Sequence, residues 1–195
     1  LIVTILAGGP STRFHINKLV YPIKGKPLIN HTVEKVKKCK SVLKVFLIAT
    51  PLTVNRYQGI EAEVILDPLG VGPIGGIYTT LKMFKEAMIL AGDMPLINCG
   101  YIETMINLCK GYRYACLPIW RKTGFLEPLA GIYSKDILPI IEHGLAVGEL
   151  SIQRLIKKFN LDIKTIPIEV DLNIFIDMFK NINKLEDIYE IIELL

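Results

Sequence analysis

The chain is poor in the features that mark special classes of protein. In 195 residues no uninterrupted apolar run reaches the roughly 18–20 residues of a membrane-spanning helix. Leu1–Ala7 is too short for that and lacks a basic flank, so it is not read as a signal peptide. Histidine is scarce, and His15, His31 and His143 are scattered. Cys39, Cys99, Cys109 and Cys116 show no C-x-x-C spacing, so no structural zinc site is expected. With 51% hydrophobic residues the chain has enough core to fold without a disulfide framework, and four inert thiols in a reducing cytosol are expected. Neither sign of charge dominates: 23 Lys and Arg against 19 Asp and Glu leave +4, which does not call for nucleic acid. The cluster Lys35, Lys37, Lys38 and Lys40 is expected to be a solvated helix face. No repeat, linker or low-complexity stretch divides the chain, and one domain over residues 1–195 is expected.

What is present is an alternation of apolar runs and helical patterns. Leu1–Ala7 is short, continuous and rich in β-branched residues, as in a strand buried on both faces. The pattern continues with a helix over Leu28–Lys38, strands at Val42–Ala49 and Glu63–Leu66, a helix at Ile77–Lys85 and a strand at Ala87–Ala91. A helix at Tyr101–Cys109, strands at Tyr114–Pro118 and Leu129–Tyr133, and helices at Lys135–Glu142 and Ser151–Lys158 follow. A strand at Ile163–Ile168 and a helix at Leu185–Leu194 close the chain. This predicts an α/β fold with a mostly parallel sheet. Ligands in such sheets bind at the carboxyl ends of strands, near a reversal in strand order.

Two loops after strands are rich in glycine. In Leu6-Ala7-Gly8-Gly9-Pro10-Ser11-Thr12-Arg13 the paired glycines let the backbone approach a ligand, and free N–H groups suit phosphate oxygens. Arg13 adds a forked cation and Lys18 a point charge for the same oxygens. The loop is not a Walker A motif, and Gly25-Lys26-Pro27 offers no hydroxyl for a metal.

The second loop, Asp67 to Gly76, spells G-x-G-x-x-G through Gly70, Gly72 and Gly75, with Asp93 about 20 residues further on. A dinucleotide site is therefore one reading. Against it, the first loop already occupies the usual place, Asp67 intrudes, and Pro73 removes an N–H where pyrophosphate needs donors. The other reading is a glycine shelf for a flat base, with Asp67 taking base or ribose hydrogens. A third feature is Gly92-Asp93-Met94-Pro95, an acid at the mouth of an apolar strand. A carboxylate beside phosphates is tolerable chiefly with Mg²⁺ between them.

These three motifs, in this order, resemble the MobA-like nucleotidyltransferases. Glu127-Pro128-Leu129, Gly131 with Tyr133, and Phe179-Lys180-Asn181-Ile182-Asn183 with Glu186-Asp187 extend the resemblance over essentially the whole chain. It implies a Rossmann-like three-layer α/β/α fold. It implies transfer of GMP from GTP to the terminal phosphate of molybdopterin, or a related transfer from CTP or to another phosphorylated acceptor. Leu6, Ala7, Gly8 and Gly9 would hold the nucleotide, with Asp67 and Gly72 at the nucleoside. Arg13, Lys18 and Asp93 would be the catalytic set, Asp93 also binding nucleotide and Mg²⁺. Asn181 and Asn183 would lie on the second-substrate side, with Glu127–Tyr133 near the acceptor. Cofactor-handling proteins are the expected partners, with no nucleic acid and no membrane, in the cytoplasm. The chain departs from the family where His15 replaces a usual glycine, where Lys184-Leu185 replaces Thr-Pro, and where Ile48 stands in place of an amide some members have.

Overall fold

The computed structural model describes residues 1–9, 17–179, 187 and 191–194. Strand β1 is Ile2–Leu6, and a hairpin of β2, Pro22–Ile23, and β3, Lys26–Pro27, leads into α1, Leu28–Lys37. There follow β4 (Lys44–Ala49), β5 (Glu63–Leu66), α2 (Pro73–Met83), β6 (Glu86–Ala91) and α3 (Cys99–Leu108). The second half holds β7 (Ala115–Trp120), β8 (Phe125–Leu126), β9 (Ala130–Ser134), α4 (Leu138–Ala146), α5 (Ile152–Lys158), β10 (Lys164–Pro167) and α6 (Ile168–Asp171). The expected closing helix falls largely outside the described residues.

The main sheet runs β10-β7-β9-β6-β1-β4-β5, with β8 paired to β7. β1 is parallel to β4 and β6, β4 to β5, and β7 to β10. β9 is reversed, antiparallel to both β6 and β7. The sheet is thus mostly parallel, as expected. Strand direction is not written in an apolar run, so the reversal was not legible. From β1 the chain builds outward through β4 and β5, then crosses back to add β6 on the other side. The carboxyl ends of β1 and β6 therefore flank the switch point where open α/β sheets take ligands.

Alternation within the strands makes the three layers. Val3, Ile5, Met88 and Leu90 pack with Leu28, Ile29, Val33 and Val36 of α1 and Tyr101, Ile102 and Met105 of α3. Ile89, Ala115, Leu117 and Tyr133 face the other way, onto Ile74, Ile77 and Leu81 of α2 and onto α4 and α5. Side chains that alternate across a strand supply both faces, which is why the central strands read as unbroken apolar runs.

Several boundaries differ from the sequence pattern for identifiable reasons. α2 begins at Pro73, earlier than its apolar periodicity, because proline is pre-set for the first helical position. A Cβ on Gly76 would stand 2.8 Å from Leu6 Cδ2, so Gly76 seats α2 tightly against the end of β1. β10 stops at Pro167, which lacks a donor and is tolerated there because β10 is an edge strand.

The cysteines are a correction. All four are paired: Cys39 with Cys99, at a Cα separation of 5.1 Å, and Cys109 with Cys116, at 5.6 Å. The first joins the end of α1 to the start of α3 across a sequence separation of 60. Only the packing of those two helices on one sheet face reveals it. The second closes the short turn between α3 and β7.

Candidate functional site

The first loop leaves β1 directly at the switch point. Its base is fixed by the protein itself. Ala7 N–H donates to Ile48 O at 2.8 Å, and Tyr57 Oη donates to Ala7 O at 2.6 Å. Gly92 N–H donates to Leu6 O at 3.0 Å, tying the end of β6 to the end of β1. Both backbone groups of Ala7 are thus engaged, and Ala7 is buried. Leu6, Gly8 and Gly9 instead line a cleft, together with Ile48, Thr50, Asp67, Gly72, Pro73, Gly76 and Asp93. Of the residues expected at the nucleotide, this cleft gathers all but Ala7 and Lys18. Arg13 and His15 lie outside the described residues, as do Asn181, Asn183 and Lys184-Leu185.

Lys18 and Asp93 meet at the cleft mouth. Lys18 Nζ stands 2.5 Å from Asp93 Oδ2, both side chains being mostly buried. A carboxylate that already faces a cation at this point is a place built for positive charge. Among the described residues no group of three or more His, Cys, Asp or Glu side chains gathers as a metal cage.

The segment carrying Asp93 is clamped by one face of α1. Thr32 Oγ1 donates to Gly92 O at 3.2 Å, Lys35 Nζ donates to Pro95 O at 2.8 Å, and Cys39 is bonded to Cys99. Residues 32, 35 and 39 fall on one helical stripe. Sequence reasoning missed this, although the i, i+3, i+7 spacing was its available signal. Lys35 is accordingly not a solvated lysine. Burial, with Lys24, Lys26 and Lys38 nearby, holds its ammonium pKa below the ordinary value. Lys37, Lys38 and Lys40 are exposed, as expected.

Asp67 is almost fully buried at the end of β5. Its Oδ1 accepts from Leu69 N–H at 3.0 Å and Thr79 Oγ1 at 3.1 Å, so one oxygen braces the turn into α2. A Cβ on Gly75 would lie 2.8 Å from Asp67 Oδ2, which makes glycine necessary beside it. The G-x-G-x-x-G stretch thus follows an edge strand and forms a side wall of the cleft, away from the turn where a dinucleotide's pyrophosphate would sit.

A second cleft, of about 530 Å³, opens on the far side of Asp93. Its walls are Phe125, Pro128, Leu129, Leu150, Ile152 and Phe179, with Glu127, Ser151, Gln153 and Arg154 as polar groups. Ala91, Asp93, Pro73 and Leu129 belong to both clefts. Glu127 Oε1 accepts from Trp120 Nε1 at 2.7 Å. Burial pushes the Glu127 carboxyl pKa up, and the Trp120 bond draws part of it back.

The model of the MobA-like NTP transferase domain matches residues 3–163. The chain belongs to this family. Among MobA-like relatives, a "probable molybdenum cofactor guanylyltransferase" of Thermococcus sibiricus is 34% identical over 98% of this chain and 97% of its own. One from Pyrococcus furiosus is 36% identical over 96% of this chain and 94% of its own. The fold also matches a crystal structure titled molybdopterin-guanine dinucleotide biosynthesis protein A, from Archaeoglobus fulgidus. That match has a TM-score of 0.83 and 24% identity, covering all of this chain and 98% of the other.

Proposed function

We propose that this MobA-like transferase moves GMP from GTP to the terminal phosphate of molybdopterin, releasing pyrophosphate. The observation that carries the reading is the pair of clefts that share Asp93. One has five glycines in its lining and the other has none but carries Phe125 and Phe179, so a triphosphate and a heterocyclic acceptor have separate seats with one carboxylate between them. The names of the full-length relatives supply the substrates.

The chemistry asks little of the protein beyond placement. An oxygen of the acceptor phosphate attacks the α-phosphorus of GTP; a P–O bond forms there as the bond to the β-phosphate breaks, and the electron pair leaves with pyrophosphate. The attacking oxygen is already anionic at neutral pH, so no general base is needed. Catalysis is alignment and charge neutralisation. Gly8 and Gly9 present backbone at the phosphates, and Arg13 and Lys18 take up charge on the leaving pyrophosphate. Asp93 would hold Mg²⁺, which when bound neutralises phosphate charge. With the nucleotide present, Lys18 exchanges Asp93 for phosphate oxygens. The base lies toward Ile48 and Thr50. The reading sets the reaction in the cytoplasm, where GTP is available, and no helix among the described residues is long and apolar enough to cross a membrane.

Calorimetric titration with GTP, CTP, ATP and NAD⁺, each with and without Mg²⁺, tests this. GTP binding that is strongest and strengthened by Mg²⁺ is expected. A preference for CTP would move the assignment to a sister transferase, and tight metal-free NAD⁺ binding would overturn it.

A further inference from the structure

Glu127 is out of place in a site for phosphates. It lines the acceptor cleft, yet the cation on that wall, Arg154, is directed elsewhere, its Nε lying 3.3 Å from Glu149 Oε1. The single side-chain bond given to Glu127 is the one from Trp120, which occupies one lone pair of Oε1. Among the described residues no cation is paired with this carboxylate, and a bare carboxylate in a cleft that receives an anionic acceptor repels the acceptor's phosphate. It must therefore face some other part of that molecule, and a part rich in hydrogen-bond donors. The same cleft is lined by apolar Phe125, Leu129, Leu150 and Phe179, and the Phe179 ring meets the Trp120 ring edge-on at a centroid distance of 6.0 Å, so aromatic faces are on hand for a flat ring. Trp120 fixes the carboxylate's orientation by holding Oε1, which leaves Oε2 directed by the same bond.

We infer that Glu127, held by Trp120, reads the donor edge of the acceptor's flat heterocycle. The ligand it fits is a 2-amino-4-oxo ring, whose amino N–H and adjacent ring N–H point side by side and match two carboxylate oxygens. This rests on the transferase reading above and names the feature of the acceptor that the second cleft selects. Guanine carries the same donor edge, but Glu127 lines the acceptor cleft and not the nucleotide cleft, so the base of GTP is not its target. Glu127 is a specificity residue, remote from the phosphorus that reacts.

Trp120 is the chain's sole tryptophan, so its emission reports on this spot alone. The experiment titrates the full chain with pterin and with lumazine, following Trp120 fluorescence. Lumazine is the same bicycle with a carbonyl oxygen in place of the amino group, and it sets lone pair against lone pair at Glu127. Wild-type protein is expected to bind pterin at least tenfold more tightly than lumazine. Glu127→Gln, which keeps an oxygen for Trp120 but loses the charge, is expected to lose that preference while its affinity for GTP stays unchanged. No response to pterin, equal binding of the two bicycles by wild type, or an unaltered preference in Glu127→Gln would overturn the inference. A fall in GTP affinity in Glu127→Gln would overturn it too, by moving Glu127 to the nucleotide base. Absence of GTP binding by wild type would instead sink the transferase reading, whatever pterin does. The wild-type comparison needs no variant, and thermal melting of Glu127→Gln shows whether it is folded.

Discussion

The two clefts that meet at Asp93 are made of different material. The proposed nucleotide cleft has five glycines in its lining, Gly8, Gly9, Gly72, Gly76 and Gly92, among Leu6, Leu19, Ile48 and Leu129. The proposed acceptor cleft has no glycine in its lining and takes Phe125, Glu127, Leu150, Gln153, Arg154 and Phe179 instead. Phosphates look alike in every nucleotide, so backbone N–H groups held in a loop suffice for them. An acceptor must be told apart from its analogues, and that requires particular side chains. On the proposed reading, the common function lies at the ends of β1 and β6 and the selective function around the reversed strand β9.

The contrast is tested most severely at the residue both clefts share. Asp93→Ala should lower turnover by about a thousandfold or more and remove its dependence on Mg²⁺, measured as pyrophosphate release over a Mg²⁺ series. Near-normal turnover would mean that Asp93 does not join the two sites. The clamp behind it comes next. Replacing Cys39 and Cys99 together by serine frees a loop with a sequence separation of 60, and loop-closure entropy puts the loss at about 4 kcal/mol in urea denaturation. Because that bond anchors the segment carrying Asp93, turnover should also fall in the folded variant.

Lys18→Met is confined to the nucleotide side. It should cost on the order of 10²–10³ in turnover, with the acceptor KM unaltered. A rise in the acceptor KM of similar size would blur the division. Replacing Cys109 and Cys116 by serine opens a loop with a separation of only 7, at the end of the sheet away from both clefts. About 2 kcal/mol is expected there, with turnover intact in the folded protein.

The smallest effect belongs to the acceptor side. Burial raises the Glu127 carboxyl pKa in the folded chain, so the folded state holds that proton more tightly than the unfolded state. Stability then falls as pH rises from the ordinary carboxylate range through the raised value. Glu127→Gln removes this loss. Its melting temperature should equal or exceed that of wild type at neutral pH, with the difference vanishing in acid. A lower melting temperature at neutral pH would show that the carboxylate is there for stability.

The same division decides what could be read in advance. The strands were visible because each central one is an uninterrupted apolar run, and Gly8, Gly9 and Asp93, which the structure brings to one cleft, stood out because each follows such a run directly. The acceptor cleft has no such local mark. Phe125, Leu150 and Phe179 are ordinary apolar residues until the fold brings their segments together. The Cys39–Cys99 bond was hidden for the same reason, its partners being distant in sequence and adjacent only through α1 and α3. Lys35 was misread because Lys37, Lys38 and Lys40 close by are exposed, while its i, i+3, i+7 spacing with Thr32 and Cys39 went unread. Ala7 was placed at the nucleotide by the family resemblance; in the fold its own N–H and C=O are taken by Ile48 and Tyr57.

The reversal of β9 has an evolutionary side. A strand that runs against its neighbours enters the sheet at their carboxyl ends, so the chain leading into it, from Trp120 through the β8 turn to Leu129, lies beside the reacting groups. That approach is a hairpin excursion from β7, and it can lengthen, shorten or change composition without disturbing the register of β1, β4 or β6. On the proposed reading, the acceptor side can change through the ten residues 120–129 while the donor half is inherited whole. The fold is modular at the level of a single turn.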